Sequence, residues 1–254
     1  MRVVAVIQAR MGSTRLPGKV LMDIAGAPML GRVVDRARAA RRVTEVRVAC
    51  SDQGADDPIA AWCAAAGVAV TRGPEADVLA RYRIAATEAA AEVVVRLTAD
   101  CPLLDPATID KVIAALGDGG SADYAANVLD RSFPRGLDVE AFSIEALLRM
   151  DRLGRSAAAR EHVTLGPRLE HPAAFRTRNV RAAQDDSDLR WTVDTGPDLE
   201  QIRTMYRELD LAGTIRPYLD VVRWCRDHPT LASDDRGNLT WDPMRRTDLI
   251  GGGR

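Results

Sequence analysis

Lysine is nearly missing from this 254-residue chain: of 35 basic residues, Lys19 and Lys111 are the two lysines and all the others are arginine. A lysine kept in the opening loop of so arginine-rich a chain points to a place for a compact point charge. Cysteine is sparse as well. Cys50, Cys63, Cys101 and Cys225 are scattered without a C-x-x-C spacing, which argues against a disulfide framework or a zinc site and for buried thiols. The three histidines, His162, His171 and His228, form no H-x-x-x-H pair. Net charge is −1, so no global field draws the protein to nucleic acid or to an acidic membrane surface, and any anion site has to be local. No apolar run approaches membrane-spanning length, and Val3–Ile7 is too short for a signal-peptide core. A soluble cytoplasmic protein is the expectation.

What is present is a sizeable core and a regular alternation of elements. The chain is 46% hydrophobic, enough for one domain or one and a half. Val3–Ala9 reads as a buried strand, Pro28–Ala40 as a helix, Glu45–Ser51 as a strand. A second helix begins with Asp57 as cap, Pro58 at its first position and Gly67 at its stop. Val68–Thr71 is a short strand, Asp77–Ala91 a helix, Glu92–Leu97 a valine-rich strand, and Asp105, Pro106 and Gly117 frame another helix. This alternation predicts an α/β fold: a mostly parallel twisted sheet with helices on both faces.

The second half is more mixed, and a mixed α+β insertion is expected there. "GLDVEAF" alternates at period two, setting Asp138 and Glu140 opposite Leu137 and Val139. Helices are read at Ile144–Met150, Ser156–Arg168, Pro197–Leu209 and Tyr218–Asp227, and strands at Phe175–Val180 and Leu189–Val193. One domain is expected over residues 1–232, followed by a polar tail over 233–254.

Ligands of parallel sheets bind beyond the carboxyl ends of the strands. That rule places Ala9–Lys19 and Thr98–Pro102 on one rim. The first of these, "ARMGSTRLPGK", is not a P-loop, because five residues separate Gly12 from Gly18 and Val20 follows Lys19. A G-x-G-x-x-G fingerprint is absent too. The loop still suits a nucleoside triphosphate. Its glycines let backbone approach a ligand, the amides of Met11, Gly12, Ser13 and Thr14 can form an anion nest, and Arg10, Arg15 and Lys19 supply three cations. No acidic residue lies between Arg2 and Asp23, which weighs against a surface loop whose arginines simply pair with neighbouring acids.

"ARMGSTRLPGKVL" resembles the A-R-x-x-S-x-R-L-P-x-K-x-L signature of the cytidylyltransferase family. "RLTADCPLLDP" is similar to that family's D-x-P-L-x-x-P segment, and "RWTVDTGPDLEQIR" to its V-D-T-x-x-D-L-x-x-[VI]-R. "FPRGLDVEAF" and "REHVT" resemble elements of its spore-coat polysaccharide biosynthesis protein F group. Together these segments run from residue 3 to about residue 210. The resemblance implies a nucleotide-diphospho-sugar-transferase-like, Rossmann-like fold, a homodimer, and CTP-dependent transfer of CMP to a small acceptor, an acidic sugar or a phosphorylated or phosphonate compound.

Asp100 and Asp194 each follow a strand-like segment at the same rim, a placement that suits Mg2+, and the resemblance makes both aspartates its ligands. The nucleotide would lie on Ala9, Arg10, Met11, Gly12, Ser13, Thr14, Arg15, Lys19, Thr98 and Asp100, with Arg72, Gly73 and Asp77 near base or ribose. Arg10, Arg15 and Lys19 would stabilise charge on the phosphates, so no protein nucleophile is required. Arg135, Asp138, Glu140, Arg160, Glu161 and His162 are the acceptor candidates. A glycosyltransferase of similar layout is the alternative, since Asp186-Ser187-Asp188 is a literal D-x-D in a polar stretch.

Overall fold

The computed structural model describes residues 1–117 and 121–229; the polar tail expected from Ser233 lies outside them. In chain order the elements are β1 (Val3–Gln8), a hairpin of β2 (Asp23–Ile24) and β3 (Ala27–Pro28), α1 (Met29–Arg38), β4 (Glu45–Ser51), α2 (Asp57–Ala65), β5 (Ala69–Gly73), α3 (Val78–Glu88), β6 (Val93–Thr98) and α4 (Pro106–Ala115). Then come β7 (Tyr124–Ala126), β8 (Glu140–Ser143), α5 (Ile144–Leu153), α6 (Ala157–His162), β9 (Thr177–Asn179), α7 (Gly196–Glu208) and α8 (Tyr218–Asp227).

Among the described residues the main sheet runs β5-β4-β1-β6-β8-β7-β9. β1 is VVAVIQ with every residue but Gln8 buried, and it pairs in parallel with both β4 and β6, as only a central strand covered on both faces can. β5 extends the parallel half. The second half is mixed as expected: β8 runs antiparallel to β6 and to β7, and β9 returns parallel to β7. Alternate residues of the strands feed two cores. Ala5, Ile7 and Val48 pack with Leu30, Ile59 and Val112 of α1, α2 and α4, whereas Val4, Val6 and Val94 pack with Leu79, Tyr82 and Leu147 of α3 and α5. A third core, around Phe133, Leu137, Trp191 and Tyr206, holds α7 and α8 against the β2–β3 hairpin.

Four local expectations need correction. The helix read over Ser156–Arg168 is broken: α6 stops at His162, and Val163 takes φ 56° and ψ −61°. A β-branched residue rarely adopts such a conformation. Among the described residues Leu189–Val193 forms no sheet strand, and Arg190 makes an isolated parallel bridge with Arg135. That segment instead lies against the turn at Gly136, where φ is 107° and an added Cβ would sit 2.8 Å from the carbonyl carbon of Trp191; glycine alone permits the approach. The cap position of α2 is Asp56 rather than Asp57. Asp56 caps nothing there, because its carboxylate is turned to the sheet rim. Finally, β7 has three apolar residues, too few to display alternation, and was not expected from the sequence.

Candidate active site

The rim at the ends of β1 and β6 opens into a cleft of about 300 Å³. Its residues come from β1 (Gln8), the following loop (Ala9, Arg10, Ser13, Thr14, Arg15, Lys19), α3 (Val78, Arg81), β6 and its end (Arg96, Thr98, Asp100), α6 (Glu161, His162) and Asp194. The opening loop is shaped by its own backbone. The Met11 carbonyl accepts from both Ser13 N and Gly18 N, and Gly18 supplies the φ of 71° that turns the chain into Lys19. Asp56 fixes the start of the loop: one carboxylate oxygen accepts from Met11 N at 2.7 Å, the other from the Ser51 amide and hydroxyl at 2.8 and 2.6 Å. The N–H groups of Met11 and Ser13 are therefore turned inward, which removes them from the expected anion nest.

Lys19 is the meeting point of the site. Only 8% exposed, its Nζ donates to Asp100 Oδ2 at 3.0 Å, Asp194 Oδ1 at 3.1 Å and the Val193 carbonyl at 2.7 Å. Two carboxylates 94 positions apart are thus drawn to one point. Burial pulls the Lys19 pKa down, but the charges of Asp100 and Asp194 outweigh it and hold the ammonium above its ordinary value. For Asp194 burial pushes upward, and Lys19, Arg15 and Arg190 together hold its carboxyl below the usual range.

The backbone behind these groups is tightly set. Val193 N donates to the Asp100 carbonyl at 2.9 Å, joining the two aspartate-bearing segments directly. Thr195 and Asp198 form a capping box at the start of α7, and Asp194 N also donates to Asp198 Oδ2 at 2.9 Å. Arg190, which the sequence reading did not single out, spans Asp194 at 2.5 Å and Asp198 at 2.7 Å. Arg15 Nη2 reaches Asp194 Oδ1 at 3.0 Å from the solvent side. No group of three or more His, Cys, Asp or Glu side chains among the described residues could hold a metal ion. Two convergent carboxylates do fit a hard dication that completes its shell with water and phosphate oxygens.

Of the remaining sequence candidates, Thr98, Glu161 and His162 line the cleft, while Arg72, Gly73, Asp77, Arg135, Asp138, Glu140 and Arg160 are not among its lining residues. Arg72 ties the end of β5 to that of β4 through the carbonyls of Ser51 and Gln53 and an ion pair with Asp57. Asp77 caps α3, and its second oxygen takes both Nε and Nη2 of Arg160 at 2.8 and 2.6 Å. That pair brackets α3 to α6 and so sets the spacing of the cleft walls. Asp138 is gripped by both Arg131 nitrogens; burial pushes its carboxyl up, but Arg131 and Arg135 bring it down to about 2. The D-x-D carboxylates of Asp186 and Asp188 are both held by Arg226 of α8.

Glu140, on the face opposite Val139, is turned into the protein interior. It is 2% exposed and is bound by Arg96, by the Tyr124 hydroxyl at 2.5 Å and by the Thr164 hydroxyl at 2.7 Å, with Arg168 at 3.8 Å. This network anchors the strained turn at Val163, in which Thr164 N bonds the His162 carbonyl, and thereby stations Glu161 and His162 at the cleft. Burial raises the Glu140 carboxyl, but Arg96 and Arg168 hold it below its ordinary 4.5. Its ionised form therefore contributes stability that is complete above pH 4.5 and lost as pH falls through the lower folded-state value. Glu140→Ala, which strands two arginines, is expected to cost about 3–5 kcal/mol in denaturant unfolding. The stability gap between wild type and Glu140→Gln should be full at neutral pH and shrink on acidification below that range; a pH-independent gap would contradict the ion-pair account.

A sheet rim carrying a glycine-containing cationic loop and two convergent carboxylates defines a nucleotide-handling α/β enzyme. The family model described as Cytidylyltransferase matches residues 4–208. The spore coat polysaccharide biosynthesis protein SpsF of Bacillus subtilis is 36% identical over 213 residues, covering 81% of this chain and 87% of that protein. A 3-deoxy-manno-octulosonate cytidylyltransferase of Anaeromyxobacter dehalogenans is 35% identical over 239 residues, covering 80% and 97%. A solved cytidylyltransferase from Leptospira borgpetersenii superposes with a TM-score of 0.84 at 31% identity, covering 91% and 96%. The chain belongs to the cytidylyltransferase family and is a CTP-dependent nucleotidyltransferase. Membership sets aside the glycosyltransferase alternative, and the two D-x-D carboxylates instead anchor α8. No helix among the described residues is long and apolar enough to cross a membrane.

Proposed function

We propose that this protein transfers CMP from CTP to a small acceptor, an acidic sugar or a related hydroxyl- or phosphate-bearing compound, and releases pyrophosphate with Mg2+ as cofactor. The observation that carries the reading is the convergence of Asp100 and Asp194 on Lys19 Nζ, beside the cationic loop. Asp100 and Asp194 would hold the ion. Bound there, Mg2+ supplies charge neutralisation at the phosphates and a fixed orientation for them.

The chain's own residues then position and neutralise. Arg10, Arg15 and Lys19 offset the triphosphate charge, Ser13 and Thr14 offer hydroxyls along the same loop, and Arg190 with the Thr195–Asp198 box keeps Asp194 from swinging away. Glu161 and His162, on the opposite wall, receive the acceptor. Its oxygen attacks the α-phosphorus in line, the new P–O bond forms as the bond to pyrophosphate breaks, and no side chain becomes covalently modified.

The test is pyrophosphate release by the full chain with each of CTP, UTP, ATP and GTP. Each nucleotide is offered 2-keto acid sugars, sugar phosphates and phosphonates in turn, with and without Mg2+. CTP with one acceptor class should dominate, and chelation should abolish release. Release that ignores the base, or persists in chelator, would overturn the reading.

A further inference from the structure

Arg81 has no role in the site as described so far, yet it lines the cleft and is only 4% exposed. Its Nε and Nη1 are buried without any hydrogen-bond partner. A buried guanidinium whose nitrogens lack hydrogen-bond partners is costly. Asp56 is the nearby acid whose field reaches Arg81, but both Asp56 oxygens are taken by Met11 and Ser51. Arg96 on the same floor is different, since Glu140 balances it. The fold also makes room for Arg81: a Cβ at Gly73 would come within 3.0 Å of its Cγ.

The cleft's charge pattern says what belongs beside it. Lys19 and Arg15 already face Asp100 and Asp194, so these four groups largely cancel. Beyond them the lining has Arg81 and Arg10, which repels it from the loop, against one further acid, Glu161, so positive charge stays in excess. A triphosphate keeps surplus negative charge even beside a dication, and guanidinium forks match phosphate oxygens in geometry.

We propose that Arg81, from α3, is a phosphate-binding residue outside the recognised loop motif, gripping with Arg10 a phosphate oxyanion of the bound nucleotide. This rests on the CTP reading above. Arg81 is then a group whose burial destabilises the free protein and is compensated when substrate arrives.

The experiment compares wild type, Arg81→Met and Arg81→Lys by titration calorimetry with CTP, cytidine and inorganic tripolyphosphate, and by thermal unfolding without ligand. Arg81→Met should bind CTP and tripolyphosphate at least about tenfold more weakly, the worth of one charge-assisted hydrogen bond. Cytidine binding should stay within twofold. Without ligand, Arg81→Met should melt at or above the wild-type temperature, which a structural arginine would not allow. Arg81→Lys keeps the charge without the planar fork, and should fall between the two in tripolyphosphate affinity. Tripolyphosphate carries no base, so its result stands even if the enzyme rejects CTP and the functional reading fails. Unchanged tripolyphosphate and CTP affinity in Arg81→Met would overturn the proposal, including the case where acceptor use alone is impaired. So would a fall of several degrees in its melting temperature.

Discussion

Asp194→Asn lowers CTP-dependent pyrophosphate release by roughly 10³-fold or more, since a lost dication removes several kcal/mol of charge stabilisation from the transfer step. The amide matches the carboxylate in size, so the loss reflects charge. Asp100→Asn should behave alike, because both carboxylates converge on the same point from opposite segments. A second readout separates ion binding from folding. Mn2+ titrated into the nucleotide-loaded protein and followed by paramagnetic resonance should bind wild type and fail to bind either variant, while circular dichroism stays unchanged. Turnover near wild type in either variant, or undiminished Mn2+ binding in both, would remove these aspartates from the metal site.

Lys19→Met should lower turnover by about 10²–10³-fold, the typical effect of deleting one preorganised charge donor at a transferring group. The more diagnostic effect is on the free protein. Lys19 Nζ is what holds two partly buried carboxylates together. Without it they repel across a confined space, at a cost of roughly 1–3 kcal/mol in stability. Mg2+ added without nucleotide should then restore much of the lost melting temperature in Lys19→Met, and much less in a Lys19→Met, Asp194→Asn double variant. If Mg2+ raised both equally, the carboxylates would not be acting as a joint cation pocket.

The parallel half of the sheet was legible because its signals are local. Valine-rich runs, Asp-Pro helix starts and glycine stops recur along residues 3–117, and each is decided by a few neighbouring residues. The loop after β1 was legible for the same reason: its cations lie within the ten residues 10–19, and the parallel-sheet rule puts them at the rim. Nothing local announces the break at Val163 within the helix expected over Ser156–Arg168; that conformation is held by Thr164 bonding Glu140, 24 residues away on a strand. Arg81 and Arg190 carry no such local signal either. One sits inside a helix whose first five residues are all buried and the other in a strand-like run. The signal that sets each apart, an orphaned guanidinium in one case and a carboxylate partner at i+4 in the other, exists only once the chain is folded.

The order of residues by itself determined the α/β architecture, the cationic loop and the two aspartates, since periodicity, caps and short motifs act over a few positions. Tertiary structure alone decided that Asp100 and Asp194 meet at one ammonium, and that Asp77 and Arg160 brace the walls rather than line them. It also decided that Glu140 is buried while two buried nitrogens of Arg81 are left without a hydrogen-bond partner. Those outcomes depend on which distant side chains share a space too small for water, and charge pairing in such a space is a property of the packed fold.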